Sequence, residues 1–330
     1  MGAASSVAYK IRPNKAVDRE LFLSLLSRLS AHLKVENYKY IGLGGPLLED
    51  FRLLHARLGI RDMDCIEIEE NVHKRQKFNK PIESIACIHS SLEDYLAGND
   101  FEKPVVLWLD YTDPRSIQKQ IETFSNQVIE LPISSIIRIT LNANPSSLGK
   151  PDAKDLAVNL PGVITSPSGK PTELEWRLER FKERLADYYP ADLTPDDMMQ
   201  RNFGKSLLKA LRLAVEKTVL DARDRKAVWA LATNYSDGQS MVTATLIVAT
   251  PDDTQIESIL KNWEFTSIPQ TPLVLDLPAL STLERLTMES CENPRDKLGY
   301  DLPKSDMNQD PFYTFKRFYR VFPHFSRIDI

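Results

Sequence analysis

The sequence lacks several features that mark whole classes of proteins. No apolar run approaches the roughly 18 to 20 residues that a membrane-spanning helix needs, and no positively charged start precedes an apolar core as in a secretory signal. We therefore expect a cytoplasmic protein with no membrane partner. A formal net charge of −4 argues against broad, nonspecific binding to nucleic acid, although it leaves room for a local basic surface.

Cysteine is also scarce in this chain. The three cysteines are Cys65, Cys87 and Cys291, and no Cys or His spacing suits a zinc site, so we predict no structural metal. Cys65 and Cys87 lie within apolar runs and are predicted to be core residues. What the chain does contain, 330 residues with 42% hydrophobic and 27% charged side chains, is typical of a soluble globular protein of one large domain or two ordinary ones.

The first half of the chain alternates apolar runs with amphipathic segments. Apolar runs predict strands at residues 38–43, 63–68, 85–89, 105–110 and 135–142, and helical spacing predicts helices at 17–33, 47–58, 71–79 and 116–129. Strands that are apolar on both faces indicate a mostly parallel sheet covered by helices on both sides. Right-handed crossovers then give a doubly wound, Rossmann-like α/β fold, whose ligands bind beyond the carboxyl ends of the strands.

The second half of the chain changes in composition. Residues 145–170 are rich in proline, serine, glycine and aspartate and predict a loop or insertion, and helical patterns follow at 173–188 and 194–223. Two β-rich arms, 227–235 and 240–250, flank an Asp-Gly turn and predict an antiparallel hairpin. We expect an α/β domain over 1–250 with an insertion at about 145–193, and an irregular C-terminal extension over 251–330 packed on that domain.

Two candidate cofactor-binding sites follow the first two strands. Glycines at the first strand end let the backbone turn sharply and approach a ligand, and here they are Gly42, Gly44 and Gly45. An ordinary strand-to-helix turn is the alternative. Glu67 ends the next strand, where a carboxylate can accept hydrogen bonds from ribose hydroxyls. Glu69 and Glu70 are competing candidates, and all three acids are also suited to capping the next helix.

Two further sites follow the third and fourth strands. Ser90 and Ser91 lie where the loop would pass beside a nucleoside base, although Ser91 also suits a helix cap. Packing poorly explains Asp110 at the end of the most apolar strand, so we expect Asp110 to contact cofactor or substrate. Asp110 is the first candidate for a general base and Asp113 the second, and Tyr111 is suited to stack on a ring or close the pocket.

The loop after the fifth strand offers an alternative chemistry. Asn142 and Asn144 are amides that could orient a substrate, or form an ordinary turn. Together with Asp110 they outline a metal-assisted site, but one carboxylate and two amides make a weak set of ligands.

The C-terminal segment suggests a partner surface. Residues 312–327 mix basic and aromatic side chains, as surfaces for single-stranded nucleic acid do, and Lys10, Arg12 and Lys15 could add to such a patch. This segment or the insertion could instead contact a protein partner. The other interpretation is a docked C-terminal helix or strand whose aromatic rings belong to the core.

Taken together, these residues resemble class I S-adenosylmethionine-dependent methyltransferases, and within them a group labelled as O-methyltransferases. The resemblance covers about 38–144 and the 227–250 hairpin, which looks like the end of the methyltransferase sheet. It implies S-adenosylmethionine as the cofactor, with the glycine loop at 42–44, the ribose acid at Glu67, the adenine-side loop at 90–91 and the catalytic loop at 110–113.

The implied reaction is methyl transfer to a hydroxyl of an acceptor that the sequence does not identify. The loop after the fourth strand is not the Asn-Pro-Pro-Tyr type of amino-methylating enzymes. One alternative is a catalytically degenerate protein of the same fold that serves as a binding or effector module. Another is an NAD(P)-dependent oxidoreductase, which the hairpin and Leu47 in place of a third glycine disfavour.

Overall fold

The computed structural model describes residues 13–151, 171–304 and 307–322. Its strands are β1 Lys39–Leu43, β2 Met63–Glu67, β3 Ile85–His89, β4 Val105–Asp110, β5 Ile136–Asn142, β6 Lys226–Ser236, β7 Ser240–Ala249 and β8 Leu273–Leu275. Its α-helices are α1 Pro13–Leu33, α2 Glu49–Leu58, α3 Glu70–Asn79, α4 Leu92–Ala97, α5 Ile117–Glu130, α6 Glu173–Leu185, α7 Gln200–Val219, α8 Gln255–Lys261, α9 Thr282–Ser290, α10 Pro294–Leu298 and α11 Pro311–Phe318.

The described strands form one sheet in the order β3-β2-β1-β4-β5-β7-β6-β8. The first five strands are parallel, and β7 enters antiparallel between β5 and β6, as the hairpin prediction required. The predicted doubly wound, Rossmann-like α/β fold with an antiparallel hairpin is therefore confirmed. β3 and β4 have the predicted bounds.

Helices cover both faces of this sheet, which is why its central strands are apolar on both sides. One face packs with α1 and α2 through a core that includes Tyr40, Cys65 and Trp108. The other face packs with α4, α5 and α7 through a core that includes Ile41 and Leu109. Alternate residues of β1 and β4 thus serve opposite cores, as the pleat of a strand requires.

Helix α1 lies across the sheet and is held there by polar contacts. The Asp237 carboxylate, in the β6–β7 turn, accepts hydrogen bonds from the backbone N–H of Lys15 (2.8 Å) and from the side chain of Asn14 (3.1 Å). One turn further along, Asp18 and Arg138 of β5 form a fully buried ion pair of 2.6 Å. The N-terminal helix is therefore anchored on the last strands of the sheet as well as on its centre.

The segment after Ala249 is more regular than the sequence indicates. Its described residues contain α8 to α11 and the short strand β8, which pairs parallel with β6 and lengthens the sheet by one strand. A strand of three residues is too short to show a period, and the many prolines in this segment conceal the helices between them. The boundary near residue 250 stays a prediction. Residues 152–170 of the predicted insertion lie outside the described residues.

Candidate active site

The predicted site residues gather at one edge of the sheet. Because β1 to β5 are parallel, their carboxyl ends lie at the same edge, and the residues that follow them face a common region. The β6–β7 turn reaches this edge too, since the N–H of Ala143, just after β5, donates to the carbonyl of Ser240 at 2.8 Å. The site is therefore bounded by the strand ends, by the hairpin turn and by the start of α1.

The glycine loop is packed tightly from below. A Cβ on Gly42 would lie 2.6 Å from the Tyr40 hydroxyl, and a Cβ on Gly44 would lie 2.6 Å from the Cys65 Sγ, so packing alone requires glycine at both positions. The carbonyl of Gly44 accepts a hydrogen bond from the buried Gln76 amide of α3, and the carbonyl of Gly45 accepts one from the N–H of Leu48. The loop is thus fixed in place before any ligand binds.

Glu67 stands half-buried at the carboxyl end of β2. Its Oε1 accepts a hydrogen bond from the N–H of Glu69 at 2.8 Å, and burial raises the pKa of this carboxyl above its ordinary value. The next residue, Ile68, leaves 70% of its apolar side chain exposed, while its carbonyl contacts the His89 ring nitrogen at 3.0 Å. An acceptor beside an uncovered apolar side chain suits a ribose carrying a flat base.

The serines after β3 serve the local backbone. The Ser91 hydroxyl accepts from the N–H of Asp94 at 3.0 Å and so caps α4, which is the alternative that the sequence left open. The N–H of Ser90 donates to the Glu67 carbonyl at 3.2 Å and joins the loop to the end of β2. Both serines lie at the predicted edge, so their role toward an adenine ring stays a prediction.

Asp110, the last residue of β4, is the least satisfied polar group of the site. Its Oδ2 lies 3.9 Å from the Lys15 ammonium, and both side chains are largely buried. Its Oδ1 is buried, and no donor among the described residues lies within hydrogen-bond distance of it. A buried carboxylate oxygen without a donor is costly, so a ligand that brings a donor to this point would gain affinity.

Two buried tyrosines lie close enough to Asp110 to feel its charge. Burial, with the charge of Asp110 among the lesser causes, raises the pKa of Tyr40 and of Tyr235 well above the ordinary value. Both phenols therefore stay neutral at physiological pH and can act only as hydrogen-bonding groups. Neither phenol therefore contributes a negative charge to this part of the edge.

Tyr111 and Asp113 occupy different surroundings from Asp110. Tyr111 is buried, its hydroxyl donates to Glu93 of α4 at 3.2 Å, and burial raises its pKa. Asp113 accepts from the N–H of Arg115 and caps a short 3₁₀ turn, and its ion pair with the Arg115 guanidinium lowers its pKa. A lowered pKa makes Asp113 a weaker base than an ordinary aspartate.

The amides after β5 are engaged in the turn. Asn142 donates to the Thr112 carbonyl at 3.2 Å and accepts from the N–H of Asn144, and Asn144 accepts from the N–H of Ser146. These bonds account for both residues as turn formers.

Within residues 13–151, 171–304 and 307–322, no group of three or more His, Cys, Asp or Glu side chains is suited to hold a metal ion. None of the described helices is long and apolar enough to cross a membrane.

The aromatic tail is partly docked. Phe312, Phe315 and Phe318 of α11 are buried and cannot stack on bases, whereas Tyr313 is exposed. Residues 323–327, Lys10 and Arg12 lie outside the described residues, and Lys15 points to Asp110. Nucleic-acid or protein binding through 312–327 stays a prediction.

Three contributions to the site escaped the sequence analysis. Lys15 comes from a helix that precedes β1, and only the packing of α1 brings it to Asp110. Gln76 supports Gly44 from α3, although a polar residue inside a charged helix gives no signal of burial. Ile68 directly follows Glu67, so it could have been found by asking which apolar side chain at the strand end has nothing to cover it.

Comparison with known proteins places this chain in a family. The family described as "Putative O-methyltransferase" matches residues 7–330, nearly the whole sequence, so the chain belongs to that family. The predicted resemblance to class I methyltransferases is confirmed, and it supports S-adenosylmethionine as the cofactor. A search of curated proteins gave no match.

Several solved structures resemble the chain at low identity. They include Trm1 from Pyrococcus horikoshii with S-adenosyl-L-methionine (11% identity, TM-score 0.46, covering 90% of this chain and 77% of that one). An O-methyltransferase from Bacillus cereus with SAH matches at 12% identity and TM-score 0.38, covering 74% and 84%. The N-methyltransferase NodS from Bradyrhizobium japonicum WM9 with SAH matches at 9% and 0.40, covering 74% and 91%.

Proposed function

We propose that this protein transfers the methyl group of S-adenosylmethionine to a hydroxyl of its acceptor, with Asp110 as the general base. The observation that carries the proposal is the buried Oδ1 of Asp110, which has no donor among the described residues and lies at the carboxyl end of the central strand. An acceptor hydroxyl would supply the missing donor. The family description supports a methyltransferase, and the hydroxyl specificity is part of the proposal.

The cofactor would lie along the ends of β1 to β4. Its ribose hydroxyls would donate to Glu67, its adenine would cover the exposed face of Ile68, and its methionine part would follow the loop of Gly42, Gly44 and Gly45. Ser90 and Ser91 would border the adenine. When bound, the cofactor supplies a methyl group already activated on a sulfonium sulfur.

The side chains of this edge have simple tasks in such a reaction. Asp110 would accept the hydroxyl proton as the oxygen bonds to the methyl carbon, while the electrons of the breaking C–S bond remain on the sulfur. Lys15, whose ammonium lies 3.9 Å from the carboxylate, would help to hold the Asp110 side chain in position. Because the side chains of Asp110 and Lys15 are largely buried, an acceptor hydroxyl bound beside them would be shielded from water. Tyr111 and Asp113 would border the acceptor's entrance.

Calorimetric titration with S-adenosylmethionine and its demethylated product tests the cofactor site. We expect micromolar binding that Glu67→Ala abolishes and Glu69→Ala leaves nearly unchanged, since the proposal assigns the ribose to Glu67 and not to the competing candidate Glu69. Equal losses in both variants would refute the ribose assignment. No binding to either compound by the folded protein would refute the methyltransferase proposal and favour a degenerate binding module.

Methyl transfer from labelled cofactor to fractionated cell metabolites tests the role of Asp110. We expect Asp110→Asn to retain cofactor binding but to lose roughly 10²- to 10⁴-fold in rate, the usual contribution of a general base. Magnetic resonance of the purified product identifies the methylated atom, and methyl on nitrogen or carbon would overturn the O-methyl assignment.

A further inference from the structure

Helix α3 carries an exposed aromatic ring that the fold does not use. Phe78 leaves 90% of its side chain in solvent, more than any other large apolar residue of the described chain. Burying such a ring typically contributes about 1.5–3 kcal/mol, and here none of that is gained within the chain. A ring left so fully uncovered points to contact with another molecule.

Helix α3 and the residue that follows it are also basic, although the protein as a whole is acidic. Residues 70–80 contain four basic side chains and one acidic, a formal charge of +3 in a chain whose net charge is −4. Lys74 pairs with Glu70, and Lys80 pairs with Glu83. For Arg75 and Lys77, in contrast, no carboxylate among the described residues lies within ion-pair distance. The face therefore presents two uncompensated positive charges next to Phe78.

These side chains form two adjoining sets on α3, one around Phe78 and one along a groove that Phe78 does not line. Lys74 and Arg75 lie one helical turn before Phe78, and on the same side of α3, because residues three and four apart are neighbours on a helix. Lys77 and Lys80 line a groove of about 490 Å³ against β3, the edge strand of the sheet. This basic-aromatic surface runs from the groove toward the edge that holds Glu67.

We propose that the basic-aromatic surface of α3 and β3 binds single-stranded nucleic acid. Phe78 would stack on a base, while Arg75 and Lys77 would contact the flanking phosphates, which is the combination by which proteins hold single strands without reading sequence. The groove has room for a ligand the size of a nucleotide. An acidic peptide or an anionic membrane fits less well, because the described surface offers one ring and no set of apolar anchors.

Fluorescence anisotropy of labelled oligonucleotides with the full chain tests this proposal. The probes are a mixed-sequence single-stranded RNA, the same sequence in DNA, the matched duplexes, a polyglutamate peptide and anionic phospholipid vesicles, at about 50 and 200 mM salt. We expect binding to the single strands. Phe78→Ala should weaken it about 5- to 50-fold through the lost stacking. Arg75→Gln with Lys77→Gln should lower the slope of log Kd against log salt by about 1 to 2.

Matched controls separate this surface from the rest of the protein. Leu220→Ala removes another side chain that is 80% exposed, and Arg201→Gln with Lys205→Gln removes two exposed cations of α7. Both controls should bind as the parent does, and all variants should retain the parent's thermal stability, since the altered side chains are exposed.

Three outcomes would overturn the proposal: no binding to single strands at low salt, equal losses in the control variants, or binding confined to the peptide or the vesicles. A tighter binding of RNA or of DNA would indicate which kind of single strand this surface is suited to bind. The binding measurement involves no cofactor. A failure to bind single strands would therefore not count against the proposed methyl transfer, and an absence of methyl transfer would not count against nucleic-acid binding.

Discussion

Replacing Asp18 by asparagine should destabilise this protein strongly, although the two side chains have nearly the same shape. Asp18 and Arg138 are both fully buried, and their charged groups lie 2.6 Å apart between α1 and β5. The other Asp18 oxygen accepts from the hydroxyls of Thr233 and Thr243. The amide would leave the guanidinium charged and buried without a counter-charge. The Arg138 side chain could not escape, because it lies over the ring of Phe22.

The expected loss is about 3–5 kcal/mol, the cost of breaking a buried pair by removing one partner. For a chain of 330 residues an unfolding entropy of about 2.1 cal/mol/K per residue converts this into a Tm lower by about 4–7 °C. A total stability of about 5–15 kcal/mol would therefore be cut substantially. Replacing both partners, as Asp18→Leu with Arg138→Met, should recover most of the loss, because no charge then remains buried.

Differential scanning calorimetry and urea unfolding at pH 7 measure the effect. The control is Glu183→Gln, the same chemical change in an exposed pair with Arg180, for which we expect less than about 1 kcal/mol. A loss below about 1 kcal/mol for Asp18→Asn, or equal losses in the two variants, would refute the argument that burial decides the value of this pair.

Three further changes test other parts of the structure. Burial raises the pKa of Tyr38 from 10.0 to about 12, so the folded chain keeps a proton that the unfolded chain loses, and stability should fall as the pH rises from about 10 to 12. Tyr38→Phe should make that decline shallower in urea unfolding without abolishing it, because other buried tyrosines such as Tyr40 and Tyr235 also have raised pKa values. Gly204→Ala would place a Cβ 2.8 Å from the Asn234 amide, so an overpacking loss of about 1–3 kcal/mol should exceed the helix-propensity gain of about 1 kcal/mol, as guanidinium unfolding would show. Because burial raises the pKa of Glu67, Glu67→Gln should increase the Tm at pH 7, and the gain should vanish below the ordinary value of 4.5, where both states are protonated.

The sheet could be predicted from the sequence because its strands are local signals. The run of β4 is apolar on both faces, ends in Asp110, and could only be a buried strand with an acid at its carboxyl end. Helix α1 was predicted from Val17, whereas it begins at Pro13, because its first turn is polar and depends on the distant Asp237. Strand β8 was missed since it exists only by pairing with β6.

The site could be predicted only in part, for a similar reason. The predicted strand ends identify Glu67 and Asp110 as site candidates. The residues that contact them depend on how the helices pack, which the sequence does not show. Arg138 inside an apolar strand signals a buried counter-charge, yet the sequence offers 46 acidic residues and does not say that Asp18 is the one. The exposure of Phe78 is equally invisible, because a phenylalanine in a helix is ordinarily a core residue.

The anchoring of α1 has a consequence for how the chain acquires its structure. The helix precedes the strands in the chain and is synthesised before them. Asn14, however, bonds to Asp237, and its amide oxygen accepts from the N–H of Leu277, contacts that span 223 and 263 residues. Such distant partners leave the ribosome long after α1 does, and closing so large a loop is slow. We therefore expect the leucine side chains of α1 to remain exposed to solvent while β1 to β5 assemble. During that interval the newborn protein is most exposed to aggregation and most dependent on chaperones.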